Sequence, residues 1–76
     1  MITEAQLHRV SSDFFLIAKE PMAIEQISGA LYAFGSELAT LRVFAKYNAN
    51  GAVHNPKCRV GYSENMKMHF FVLELV

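Results

Sequence analysis

The C-terminal segment constrains the fold more than any other part of the sequence. His69–Val76 reads HFFVLELV, and six of its eight residues are large and apolar. A strand at the surface of a small domain normally alternates apolar and polar residues, because only one of its faces is buried. This segment is apolar on both faces. The sequence therefore predicts a strand that is covered on both sides.

The composition supports the same expectation. The chain has 76 residues, of which 53% are hydrophobic and 18% are charged. A domain of this size buries only about 60% of the surface that its unfolded chain exposes. Apolar side chains in excess of what the interior holds are expected at a partner subunit or a ligand. The length predicts one domain over residues 1–76.

Charge and cysteine content favour a cytoplasmic protein. The formal net charge is zero, which gives no overall attraction to nucleic acid or to an anionic membrane. Cys58 is the single cysteine, so the disulfides typical of small secreted domains cannot form within the chain. The first ten residues have no apolar region of the signal-peptide type, and apolar runs such as Phe70–Leu73 are too short to cross a bilayer. We expect no membrane association.

Two helices are predicted in the first half of the chain. Thr3 and Gln6 have the spacing of a capping box, and a 3-4-3 apolar spacing follows over residues 3–18. Pro21 ends this predicted helix. The same spacing predicts a second helix over residues 22–34, with Gly35 as its C-terminal cap. The two apolar stripes are Leu7, Val10, Phe14 and Ile17, then Ile24, Ile27, Leu31 and Phe34.

Three strands are predicted in the second half. The period changes to two over Leu41–Tyr47, and an Asn-rich loop follows over residues 48–56. Alternation returns over residues 57–62 and, after a tight connection, over residues 67–75. The predicted fold class is α+β, in which a two-helix hairpin packs on a three-stranded antiparallel meander in the order ααβββ.

The alternation assigns the two faces of this predicted sheet. On the first two strands, the helices are expected to cover Leu41, Val43, Ala45 and Tyr47, then Cys58, Val60 and Tyr62. On the last strand, either His69, Phe71, Leu73 and Leu75 or Met68, Phe70, Val72 and Glu74 could face the helices. We assign the first set, because Glu74 then lies among the basic residues of the opposite face. An outer apolar row remains, rimmed by basic residues, and such a patch marks an interaction surface. We expect a symmetric homodimer that acts as a protein-interaction or small apolar-ligand-binding module. Its predicted contact residues are Phe44, Met68, Phe70 and Val72.

Single-stranded nucleic acid, or another anion, is the alternative ligand of this outer face. Basic residues beside an aromatic residue on an open sheet can hold phosphates while bases stack. The zero net charge and the lack of RNP-type aromatic signatures make this the less favoured interpretation. The residues that would carry it are Arg42, Lys46, Lys57 and Arg59.

No catalytic, metal or cofactor site is predicted. The sequence contains no phosphate-binding loop, nucleophile elbow, zinc-protease motif or CxxC pair. His54 and Cys58 are close in sequence, but a loop position and an inward strand position favour a buried, unreactive thiol. The three histidines, His8, His54 and His69, lie on different predicted elements without ligand spacing. A binding protein is therefore favoured over an enzyme.

One long stretch resembles a known group of proteins. The residues are PMAIEQISGALYAFGSELATLRVF, Pro21 to Phe44, together with the terminal FFVLEL. This stretch is similar to short orphan proteins encoded in bacterial integron gene cassettes. The resemblance implies a small, oligomeric α+β cytoplasmic protein from a family largely without assigned activity. It implies no functional residues.

Overall fold

The computed structural model of the chain describes residues 3–49 and 57–74. The helices and strands in this part of the chain are α1 (Glu4–Ala18), β1 (Ala23–Ile27), β2 (Ala30–Gly35), α2 (Glu37–Ala49), β3 (Cys58–Ser63) and β4 (Met68–Glu74). The four strands form one antiparallel sheet in the order β1-β2-β4-β3. The α+β class and the antiparallel sheet are confirmed, but the predicted order ααβββ is wrong.

The first predicted helix is confirmed as α1. The Thr3 hydroxyl accepts a hydrogen bond from the Gln6 N–H at 3.1 Å, and the Gln6 side chain accepts one from the Thr3 N–H at 2.8 Å. This reciprocal capping box satisfies two backbone donors at the start of the helix. At the other end, Arg42 donates a hydrogen bond to the Ala18 carbonyl at 3.0 Å, so α2 holds the last turn of α1.

The predicted helix over residues 22–34 is wrong, because this segment forms the β1–β2 hairpin. Ser28 and Gly29 both have positive φ, 48° and 76°, as a two-residue type I′ turn requires. Ile27 pairs with Ala30 across this turn. The 3-4-3 spacing is compatible with the hairpin, since its four apolar residues divide equally between the two faces of the sheet.

The predicted strand over residues 41–47 is also wrong, because these residues belong to α2. The Ser36 hydroxyl accepts a hydrogen bond from the Ala39 N–H at 3.1 Å and caps the helix. Ala39 and Val43 are fully buried, one turn apart, and Tyr47 follows one turn later. The alternating apolar residues 41, 43, 45 and 47 conceal this four-residue period.

The two C-terminal strands are confirmed as β3 and β4, and their buried residues lie on the predicted face. Tyr62 is an exception, because it was predicted to be covered by the helices and is 46% exposed. Phe71 and Leu73 are buried on the helix side, where Cys58 and Val60 pack with them. Phe70 therefore points to the other face. Leu75 and the greater part of the predicted loop lie outside the described residues.

The core lies between the two helices and one face of the sheet. The Phe14 ring of α1 makes edge-on contacts with the rings of Tyr47 on α2, at 5.4 Å, and Phe71 on β4, at 5.6 Å. The chain order of the elements is α-β-β-α-β-β. If the last strand came first in the chain, this order would be β-α-β-β-α-β, as in ferredoxin-like folds.

Neither α1 nor α2 has the length and apolar character needed to span a lipid bilayer.

Candidate functional site

The candidate site is the sheet face opposite α1 and α2, which we name the open face. Strand register arranges its side chains in rows that cross all four strands in the order β1-β2-β4-β3. We name two of them: the aromatic row is Ala23, Phe34, Phe70 and Gly61, and the charged row is Glu25, Tyr32, Val72 and Arg59. Neither described helix covers this face.

Three aromatic rings form a cluster at the centre of the open face. Tyr32 and Phe34, on β2, are nearly parallel, with their ring centroids 6.0 Å apart. Phe70, on β4, lies 5.8 Å from Tyr32 and 6.1 Å from Phe34. These distances are within the range for favourable aromatic pairs. The cluster therefore joins the two central strands through side-chain contacts.

The edge strand β3 provides space and a charge for this cluster. A Cβ atom at Gly61 would lie 2.6 Å from Cζ of Phe70, so the ring lies over the backbone where only glycine leaves room. The Arg59 guanidinium carbon lies 5.6 Å from the centre of the same ring. At this distance a cation–π contact contributes about 0.5–1 kcal/mol at an exposed site. Gly61 and Arg59 together determine how the Phe70 ring lies on the open face.

The side chains of the open face partly bury one another. Val72 is 4% exposed and Phe34 is 5% exposed, although both belong to the open face. Tyr32, Phe70 and Met68 are half-buried. At the β1 edge, Ile27 is 42% exposed. The surface left for a partner is therefore smaller than the sequence predicted, and Val72 is buried within the chain.

The predicted contact residues are only partly brought together. Met68, Phe70 and Val72 lie on the open face, as predicted. Phe44 does not, because it belongs to α2 and packs against the core on the other side of the sheet. Tyr32 and Phe34 were missed because their segment was predicted to be helical. The Ser28-Gly29 turn was the signal that could have revealed them.

The four basic residues predicted to bind nucleic acid do not form one row. Arg42 and Lys46 are on α2. Arg59 is on β3 and belongs to the open face, on the other side of the sheet from α2. Lys57 directly precedes β3, where its carbonyl accepts a hydrogen bond from Glu74 at 3.0 Å. Strand register also places Glu25 and Glu74 on the open face, where carboxylates repel phosphate groups. The predicted basic surface is therefore wrong.

A groove between the two helices is a second place where a small molecule could bind. Its volume is about 360 Å³, at the lower end of the range for ligand pockets. Burial raises the pKa of the Tyr47 phenol above its ordinary value, and the Asp13 carboxylate adds to this effect. The groove is lined by Asp13, Leu16, Ile17, Lys46 and Tyr47.

Cys58 has the environment of a structural thiol. It is half-buried and packs against the core, and this burial raises the pKa of the thiol. A higher pKa lowers the fraction of reactive thiolate at neutral pH. His54, its neighbour in sequence, lies outside the described residues. Within residues 3–49 and 57–74, no three His, Cys, Asp or Glu residues are grouped so that they could hold a metal ion.

The outer surface of the helices carries the most exposed apolar side chains, and we name it the helical surface. Leu16 is 64% exposed and Leu38 is 54% exposed. Phe15 on α1 and Leu41 on α2 are also about half exposed, at 49% and 45%. None of these four residues was among the predicted contact residues. Because their side chains are exposed and apolar, the helical surface is an alternative to the open face as an interaction surface.

Comparisons with known proteins add no relative. No protein-family model matches the chain, and no curated protein or solved structure matches it.

Proposed function

We propose that this chain is a small protein-interaction module that forms a homodimer through the open face of its sheet. The observation that carries the proposal is the cluster of Tyr32, Phe34 and Phe70 on the helix-free face. Aromatic residues near the centre of a patch are the usual anchors of protein interfaces. A location in the cytoplasm and an origin in an integron cassette are further proposals, which the sequence supports.

The composition and the rim of the patch also support this proposal. The chain is rich in apolar residues and has no net charge. Of the charged residues on the open face, Glu25 and Arg59 lie on the two edge strands and Glu74 lies at the end of β4. Interfaces commonly have an apolar centre and a polar rim. Binding of a small apolar ligand in the groove beside Tyr47 is a second candidate function, supported by the volume of that groove.

The oligomeric state in solution tests the proposal. Size-exclusion chromatography with light scattering is expected to give twice the chain mass of 8.6 kDa at micromolar concentration. Phe70→Ser should weaken the dimer by about 30-fold or more, because truncating a central aromatic anchor costs about 2 kcal/mol. The measurement is the dissociation constant from sedimentation equilibrium.

Phe15→Ser is the matched control. It removes the same kind of ring from α1, where Phe15 is 49% exposed, and it should leave the dissociation constant unchanged. A wild-type chain that stays monomeric at high micromolar concentration would refute the proposed function. If Phe15→Ser weakens the dimer and Phe70→Ser does not, the interface lies on the helical surface.

A further inference from the structure

The geometry points to a defined arrangement of the two copies, an inference that rests on the proposed function. We infer that the open face is occupied by a second copy of this chain, related by a two-fold axis parallel to the strands. The axis runs midway between β2 and β4, in the space between the two sheets. Glu25 of each protomer then lies opposite the partner's Arg59.

The charged row is self-complementary about that axis. Each strand contributes one residue to it, so that Glu25 stands at the β1 edge and Arg59 at the β3 edge. Both residues are exposed. With neighbouring strands about 4.8 Å apart, the backbones of the two edges are roughly 14 Å apart. A rotation that exchanges the edges brings each carboxylate opposite a guanidinium, and such complementarity determines the register of an interface.

The aromatic row has the same symmetry in the sizes of its side chains. Ala23 and Gly61 stand at the two edges, and Phe34 and Phe70 occupy the two central strands. The same rotation places small residues opposite small residues and rings opposite rings. Two sheets that pack face to face lie about 10 Å apart with their strands nearly aligned. Large side chains at the centre and small ones at the margins suit that spacing.

A two-fold axis that runs across the strands, level with the charged row, is electrostatically worse. Such an axis, which lies between the sheets, superimposes each edge on the same edge of the partner. Glu25 would then approach the partner's Glu25, and Arg59 would approach the partner's Arg59. Like charges facing each other across an interface cost free energy. The charges at the two edges therefore select the axis parallel to the strands.

Charge reversal at the two edges tests this arrangement. Glu25→Arg leaves positive charge at both edges, and Arg59→Glu leaves negative charge at both edges. Each variant alone should dimerise at least about tenfold more weakly than the wild-type chain, because like charges then face each other in both pairs. An equimolar mixture of the two variants should form the heterodimer, in which both facing pairs are opposite in charge. Native mass spectrometry at low salt distinguishes the homodimers from the heterodimer.

The double variant Glu25→Arg/Arg59→Glu is the matched control. It exchanges the two charges within one chain, so its homodimer should recover most of the lost affinity. Circular dichroism should show native secondary structure for all three variants, since both positions are exposed. The comparison also separates the ion pair from the contact of Arg59 with Phe70, which Glu25→Arg leaves intact.

The outcomes distinguish this inference from the proposed function. A wild-type dimer whose charge-reversed variants show no preference for the heterodimer would overturn the arrangement, while the dimer itself would stand. Preferential pairing of Glu25→Arg with the wild-type chain would favour the axis across the strands and would also overturn it. A monomeric wild-type chain that binds a single-stranded oligonucleotide at low salt would refute both proposals.

Discussion

The open face and the helical surface both carry apolar side chains outside the core, but they differ in how those side chains are organised. On the helical surface, Leu16 and Leu38 are 64% and 54% exposed. On the open face, Phe34 and Val72 are almost buried, and the rings of the cluster lie about 6 Å from one another. The apolar side chains of the helical surface are therefore more exposed, whereas those of the open face pack against one another.

This difference teaches that exposure alone does not identify an interface. Single exposed apolar residues are normal on soluble proteins, and each leucine of α2 has a charged neighbour in sequence, Glu37 beside Leu38 and Arg42 beside Leu41. On a sheet, strand pairing holds side chains at fixed positions, so a row can match a second copy of itself. The open face has such rows, with charges at its edges and rings at its centre.

The largest expected effect separates the core from the open face. Phe71→Ala should lower the free energy of unfolding by about 3–5 kcal/mol, because the ring is fully buried and leaves a cavity against Phe14. Urea titrations at two protein concentrations measure the change. Phe15→Ala, on the exposed side of α1, is the control and should cost less than about 1 kcal/mol. Equal losses for the two variants would contradict this description of the core.

A smaller effect is expected where the edge strand approaches the aromatic cluster. Gly61→Ala should destabilise the chain by about 1 kcal/mol and weaken the proposed dimer, because the added Cβ displaces the Phe70 ring. In a Phe70→Ala background the same change should be neutral or stabilising, since the conflicting ring is gone. The measurement is a double-mutant cycle in urea. Additive effects would show that Gly61 is not there to make room for Phe70.

The smallest effect is expected on the helical surface. Leu38→Gln and Leu41→Gln should change the free energy of unfolding by no more than about 0.5 kcal/mol, because glutamine is a good helix former and both positions are exposed. The mass from light scattering should remain that of the wild-type chain. Loss of the proposed dimer in either variant would show that the interface lies on the helical surface and would reverse the comparison.

Local signals in the sequence were sufficient for about half of the elements. The capping box at Thr3 and Gln6 predicted α1, and the alternation after Lys57 predicted β3 and β4 with the right faces. Both faces of β4 are apolar, so its inward face was assigned from Glu74, which was placed among the basic residues of the opposite face. Residues 22–47 are ambiguous, because apolar spacings of three and four also fit a hairpin, and alternation also fits a helix whose buried residues recur every four positions.

Two short polar signals would have resolved that ambiguity. Ser28-Gly29 is a turn dipeptide, and in the structure both residues adopt the positive φ of a hairpin turn. Ser36 precedes Glu37 and caps α2, as serine does at many helix starts. The apolar period was given more weight than these residues, and the predicted order of elements was wrong as a result.

The sequence by itself determined that the last strand has two apolar faces, with Phe71 on one side and Phe70 on the other. Period-two alternation is a local property of the chain, so it needs no knowledge of the neighbours. Only the tertiary structure decided what lies beside Phe70: Tyr32 and Phe34 on one side, Gly61 and Arg59 on the other. Strand order depends on which segments pair across long separations, and that choice is made by packing of the whole chain.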